Sequence, residues 1–208
     1  MEIHAPKAPH SLKEFLRELV TITAGILIAL SLEGVLEWNH HRHLVRESRD
    51  NIHTELSENR RELEDAMAKQ KTTEQQLAKF YTTLVDLETK RGSITTNLQL
   101  NISLADLHRT SWNTAANTSA ISYMPYSEVK AYTEVYDLQA KYEATQAAVL
   151  NESSAVYSLG GVLDRPRRSD LRGAEKNIAA LRARLGVMRD LSTSLDQRYA
   201  NVLEQKKP

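Results

Sequence analysis

The sequence predicts an all-α protein in which an N-terminal transmembrane helix continues into an elongated antiparallel helical bundle with coiled-coil-like seams. Three observations carry that expectation. Residues 19–32 (LVTITAGILIALSL) contain no charged side chain, whereas the 208-residue chain as a whole is 26% charged and has a mean hydropathy of -0.48. Beyond that run, apolar side chains recur at alternating steps of three and four residues, the spacing of a helix buried along one stripe. Between Ser11 and Gly92 there is no proline, and the only glycines are Gly25 and Gly34, so little interrupts a helix there. The expected organisation is a short N-terminal tail (1–14), a transmembrane helix (15–38), a long juxtamembrane helix (39–92) and the remaining helices of the bundle (93–208).

The first helix opens on Ser11, Leu12, Lys13 and Glu14, a capping box in which hydroxyl and carboxylate can each satisfy an orphan backbone donor. The uncharged run alone measures about 21 Å as a helix, short of the roughly 30 Å hydrocarbon core. Adding Phe15 and Leu16 before it and Val35, Leu36 and Trp38 after it gives about 22 to 24 residues, enough to span. Arg17, Glu18, Glu33 and Glu37 then fall within two turns of the ends, where long side chains reach the headgroups, and Trp38 is placed as an interfacial aromatic. The competing readings are a buried core helix of a soluble bundle and a signal peptide cleaved near Ala29, Leu30 and Ser31. Against cleavage, the helical pattern runs through this point and the long leading segment carries Glu14 and Glu18.

Lys7, Lys13 and Arg17 precede the apolar run and Arg42, Arg46 and Arg49 follow it, so charge balance does not orient the helix. A short tail ahead of a long domain is the form of an uncleaved signal anchor, which favours export of the bundle. The absence of cysteine fits an oxidising compartment without requiring one. Thr21, Gly25 and Ala29 recur every four residues and form a smooth face on which a second copy could pack, giving a homo-oligomer; Glu33 continues the series. Small residues are also common in membrane helices that have no such partner.

Past the membrane segment, Ile52, Leu56, Asn59, Leu63, Ala66, Gln70, Thr73, Leu77, Phe80, Leu84 and Leu87 keep a heptad seam. Asn59, Ala66, Gln70 and Thr73 are poor residues for a strongly self-associating coiled coil. They point instead to register control or to a layer packed on other helices of the same chain. Gly92 suits a left-handed helix cap. Residues 94–122 are the least regular; Ser103, Leu104, Ala105 and Asp106 form a plausible helix start, with Leu104, Leu107, Ser111 and Ala115 on one face and Trp112 beside them. Pro125 suits the first turn of the next helix, expected to run to Leu159 with Val135, Leu138, Tyr142, Thr145, Val149, Val156 and Leu159 as its seam, and to stop at Gly160 and Gly161. A loop with Arg165, Pro166, Arg167 and Arg168, close to Arg172, leads to the cleanest pattern: Leu171, Ala174, Ile178, Leu181, Leu185, Met188, Ser192, Leu195, Tyr199 and Val202. Two long helices joined by a short loop must lie antiparallel, and the juxtamembrane helix is long enough to pack beside both.

Chemistry is sparse. Glu37, Trp38, Asn39, His40, His41, Arg42 and His43 form the one cluster that invites a metal reading, because Glu37 shares a helix face with His40 and with His41. Two ligands make an incomplete site, and an aromatic and basic headgroup belt explains the same residues. His53 and His108 lie near no fixed acid or nucleophile pattern and fit surface or partly buried polar roles. No nucleophile elbow, phosphate loop, dinucleotide glycine pattern or paired-histidine zinc motif occurs, so neither an enzyme nor a cofactor is expected. The basic loop around Arg165 could meet anionic lipid or acidic protein, but 27 basic against 27 acidic residues argues against nucleic acid.

The chain resembles an uncharacterised family of bacterial single-pass membrane proteins that pair a GILIAL-type membrane helix with a helix of the form Glu-Leu-x-x-Asn. The matching residues are Gly25 to Leu30, then Glu55, Leu56 and Asn59 with Leu63 beyond. A Trp-centred stretch followed by a helix with a late tyrosine is matched by Ser111, Trp112, Asn113, Thr114 and Ala115, then Val129 and Tyr136. The resemblance covers about 12–63 and 110–139. It implies a bacterial inner-membrane protein and supplies no activity. The family's commoner form has an asparagine-rich juxtamembrane motif where this chain has Glu33, Glu37 and the histidines, so no role carries across there. The functional expectation is a membrane-anchored scaffold or interaction module with its bundle on the periplasmic side, the alternative being a ligand-sensing bundle that works with a separate signalling partner. The Trp112 and Tyr136 region fits bundle packing better than a binding surface.

Overall fold

The computed structural model describes residues 11–90, 100–157 and 168–204. Helix α1 spans Leu12–Lys90, α2 Thr110–Asn117, α3 Tyr126–Tyr157 and α4 Arg168–Glu204, with a 3-10 turn at Ala120–Tyr123 and no strand among the described residues. The proposed stops at Gly92, Gly160 and Gly161, the seam position Leu159 and the basic loop Arg165 to Arg167 lie outside the described residues. The chain divides into two compact units, Met1–Glu47 and Ser48–Pro208.

In the first unit, Ser11 Oγ accepts the Glu14 N–H at 3.3 Å, the hydroxyl half of the expected capping box. The most apolar 18-residue window of α1 has a hydropathy of 2.1, and none of it is buried. By length and composition this helix can cross a membrane. Thr21 and Ser31 donate to the carbonyls of Arg17 and Leu27 at 2.9 and 2.6 Å, the means by which hydroxyls satisfy themselves along an apolar helix.

The second unit is a helical bundle built on the seams. On α1 the ten positions from Ile52 to Leu84 are all buried, including Asn59, Gln70 and Thr73. On α4 all ten from Leu171 to Val202 are buried as well. Burial of a leucine or isoleucine stabilises by about 1.5–3 kcal/mol before chain entropy is counted, so these two stripes and the facing one on α3 are the main source of cohesion.

The stripe of α3 differs from expectation. Tyr132, Val135, Gln139, Tyr142, Gln146, Val149, Ser153 and Val156 are buried and keep perfect heptad steps, whereas Leu138 and Thr145 are only half-buried. Leu138 and Thr145 are therefore corrected to the flank, and the glutamines that follow each of them hold the seam.

Cross-bonds set the directions. Arg49, His53, Glu55 and Asn59 on α1 meet Glu128, Tyr132, Tyr136 and Gln139 on α3 at separations of 79 to 81 residues, so α1 and α3 run parallel. Arg198 bonds Glu134 and Arg184 bonds Glu152, so α4 runs antiparallel to α3, as the short connection requires. Arg60 bonds Asp196 and Gln70 bonds the Leu185 carbonyl, so α4 is antiparallel to α1 too.

The return path between α1 and α3 is not the helix expected from Ser103. Residues 100–109 form a non-helical strap, followed by the short α2. The strap descends along α1, since Thr73 binds residue 101, Asn59 residue 108 and Glu55 residue 111. The chain turns into α3 through Ser119, whose φ of 63° puts a non-glycine residue in the left-handed region. Pro125 immediately precedes α3, and its carbonyl accepts the Glu128 and Val129 N–H groups at 3.0 and 3.1 Å.

Candidate functional site

A non-helical backbone inside a bundle brings polar groups that no helix partner satisfies, and it needs side chains to meet them. The polar seam residues do this. Asn59 Oδ1 accepts the His108 N–H at 2.8 Å while its Nδ2 donates to the His108 carbonyl at 2.6 Å. Gln146 makes the same reciprocal pair with Ala105, at 2.7 and 3.0 Å. Thr73 donates to the Asn101 carbonyl at 2.5 Å, and Tyr157 donates to that of Leu100. Gln139 donates to His108 O at 3.2 Å and accepts from the Tyr199 hydroxyl at 2.9 Å, so strap, α3 and α4 share one amide.

Glu55 is the centre of the layer. Its Oε1 accepts the Tyr136 hydroxyl at 2.6 Å and its Oε2 accepts the Ser111 N–H at 2.8 Å. Ser111 lies in the first turn of α2, whose N-cap residue Arg109 makes no side-chain capping bond. Glu55 thus caps α2 from a different helix, where a carboxylate also meets the positive end of the helix dipole. Arg109 instead pairs with Glu143.

Above the carboxylate, Trp112 stacks on Tyr136 with ring centroids 5.5 Å apart and planes at 18°, and it leans on Tyr132 at 6.1 Å. His53 Nε2 lies 3.1 Å from the Tyr132 hydroxyl and edge-on to its ring. Tyr132 also donates to Glu128, whose two oxygens take a bidentate fork from Arg49, both at 2.6 Å. The hydrogen bond to Glu128 raises the Arg49 pKa, and that to Asp196 raises that of Arg60. Burial, reinforced by the bond to Glu55, pushes the Tyr136 phenol far above its usual range. Burial raises Tyr132 and Tyr199 as well and pushes Tyr142 up to about 12. These phenols stay protonated at physiological pH, and those of Tyr132, Tyr136 and Tyr199 act as donors. The arrangement is suited to holding four chain segments in register.

The sequence placed Trp112 and Tyr136 together as packing, and they stack. Of the two isolated histidines, His53 is half-buried beside Tyr132, and His108 contributes its backbone while its side chain is exposed. Glu55, Asn59, Trp112 and Tyr136 fall in this one layer. Gln139 and Gln146 escaped the sequence reading; their signal was a polar side chain at matching heptad steps.

A polar hollow of about 300 Å³ opens over Glu55 between Glu58 and His108. A larger open groove of about 670 Å³ lies between α1 and α4, with Ala78, Ala179, Ala183 and Gly186 along it and Lys71 and Arg182 at its edges. In the first unit, the Arg42 guanidinium lies 4.6 Å over the Trp38 ring, the His40 and His41 rings are 6.0 Å apart, and His43 Nδ1 is 3.7 Å from Glu47. Among the described residues, no three histidine, aspartate or glutamate side chains gather to hold a metal ion, so Glu37, His40, His41 and His43 do not converge. Thr21, Gly25 and Ala29 are exposed, and a Cβ added at Gly25 would meet nothing within 4 Å. Comparison of the chain with protein-family models, curated proteins and solved structures finds no match.

Proposed function

We propose that the chain is a single-pass protein of the bacterial inner membrane whose helical bundle serves as a scaffold or interaction module and catalyses no reaction. The observation that carries this reading is the contrast within α1: an 18-residue apolar window with nothing buried, followed by a seam whose polar side chains are spent on the chain's own backbone. The bundle is assigned to the periplasmic side in this reading. The exposed face of Thr21, Gly25 and Ala29 supports homo-oligomerisation within the membrane. A ligand-sensing bundle with a separate signalling partner is the second reading, favoured by the polar hollow beside the bonds that join α1 to α3.

Paired C-terminal fusions test the placement: active alkaline phosphatase with dark green fluorescent protein is the expected result, and the reverse moves the bundle to the cytoplasm. Cysteine pairs at Gly25 or Ala29 should cross-link in membranes. A stoichiometric cofactor, or a turnover activity abolished by a point mutation, would end the scaffold reading.

A further inference from the structure

Glu55 is only 7% exposed, yet neither group that binds its carboxylate carries a charge: the Tyr136 hydroxyl reaches Oε1 and the Ser111 N–H reaches Oε2. A carboxylate taken out of water is ordinarily paired with a cation, because its desolvation is costly. Each oxygen can accept two hydrogen bonds, so about two of the four acceptor positions remain open. The hollow of about 300 Å³ opens over this group, at the small end of the roughly 300–1,000 Å³ range of ligand pockets.

The walls add acceptors; they include one imidazole, that of His108, and no lysine or arginine. Thr54 donates its hydroxyl proton to the Asp50 carbonyl at 2.9 Å, which leaves lone pairs of its oxygen for the hollow. Glu58, whose side chain is exposed, brings a second carboxylate, and Asn51 brings an amide. An anion is repelled by the two carboxylates. A bare metal ion lacks its ligand set, since no three histidine, aspartate or glutamate side chains gather among the described residues. A primary ammonium needs less: a charged neighbour and acceptors for three N–H groups, with its short apolar tail left toward solvent.

We propose that this hollow binds a small primary alkylammonium, its charge met by Glu55 and Glu58. The proposal gives the ligand-sensing reading its ligand class and rests on that reading. Glu55 ties α1 to the first turn of α2 and to α3, so a cation seated on it braces a joint of three segments.

The full chain, isotope-labelled and held in uncharged detergent micelles, is titrated at constant ionic strength with n-butylammonium chloride, butan-1-ol or sodium pentanoate, and the Thr110 and Ser111 amide resonances are followed. Saturable shifts with n-butylammonium alone are expected, with affinity lowered several-fold by Glu58→Gln and at least about tenfold by Glu55→Gln. Glu58 is exposed, so its variant keeps the fold and decides the matter even where Glu55→Gln is destabilised. Saturable shifts that both variants leave unchanged overturn the site. Saturation by pentanoate or butanol at least as tight as by the amine overturns the ammonium class and leaves the ligand-sensing reading standing. Shifts that never saturate, or no shift with any of the three, overturn the proposal and remove the hollow as support for that reading.

Discussion

Asn59 separates two accounts of a polar residue in a heptad seam. In a coiled coil formed between chains, replacing a buried asparagine by leucine adds stability and loosens register control. Here Asn59 holds both polar groups of residue 108. Asn59→Leu should therefore destabilise by about 1–2 kcal/mol, the gain from apolar burial being smaller than the cost of an orphaned N–H. Urea unfolding measures it, and a stabilised variant would contradict the strap account. Glu55→Ala strips acceptors from Tyr136 and Ser111 together and should cost about 2–4 kcal/mol, with Glu55→Gln, which keeps one acceptor, costing roughly half as much. A cycle with Tyr136→Phe should show coupling between the pair of about 1–2 kcal/mol. Asn59, Gln70 and Thr73 could be placed in the seam from their spacing, because leucines frame them on both sides. Gln139 and Gln146 could not, because Leu138 and Thr145, one position earlier, give equally regular alternating steps of three and four between Val135, Tyr142 and Val149.

Helices α1 and α4 were legible because glycine and proline are scarce within them and their apolar stripes are long. The strap was not. Ser103 and Asp106 imitate a helix start, yet local propensity is weak there, and bonds from Thr73, Asn59 and Gln146 offer its backbone better partners than a helix would. Those bonds predict slow hydrogen exchange at Ala105 and His108 although neither belongs to a helix. Gln146→Ala should release Ala105 far more than His108; exchange at solvent rates in the unmutated protein would contradict the strap. Ser119 is also local: its left-handed φ costs an L residue about 1–2 kcal/mol, which glycine avoids at some loss of unfolded-chain entropy. Ser119→Gly should raise stability by about 0.5–1 kcal/mol, read as an increased melting temperature.

For the whole molecule, the buried phenols fix the alkaline limit. In the unfolded chain tyrosines ionise near pH 10, whereas in the fold burial holds Tyr142 protonated to about 12 and Tyr132, Tyr136 and Tyr199 higher. Unfolding then releases protons above pH 10, so these groups leave stability unchanged below that point and lower it as pH rises beyond. Thermal melts across that range should decline, and Tyr142→Phe should reduce the slope. The apolar run of α1 was legible from composition alone, whereas its orientation was not, because basic residues flank it evenly. Membrane anchoring through residues 19–32 is tested most directly by alkaline carbonate extraction of bacterial membranes carrying the full chain, beside a variant lacking residues 15–38. The full chain should stay in the pellet while the variant leaves with the soluble fraction; release of the full chain by carbonate would contradict the anchor.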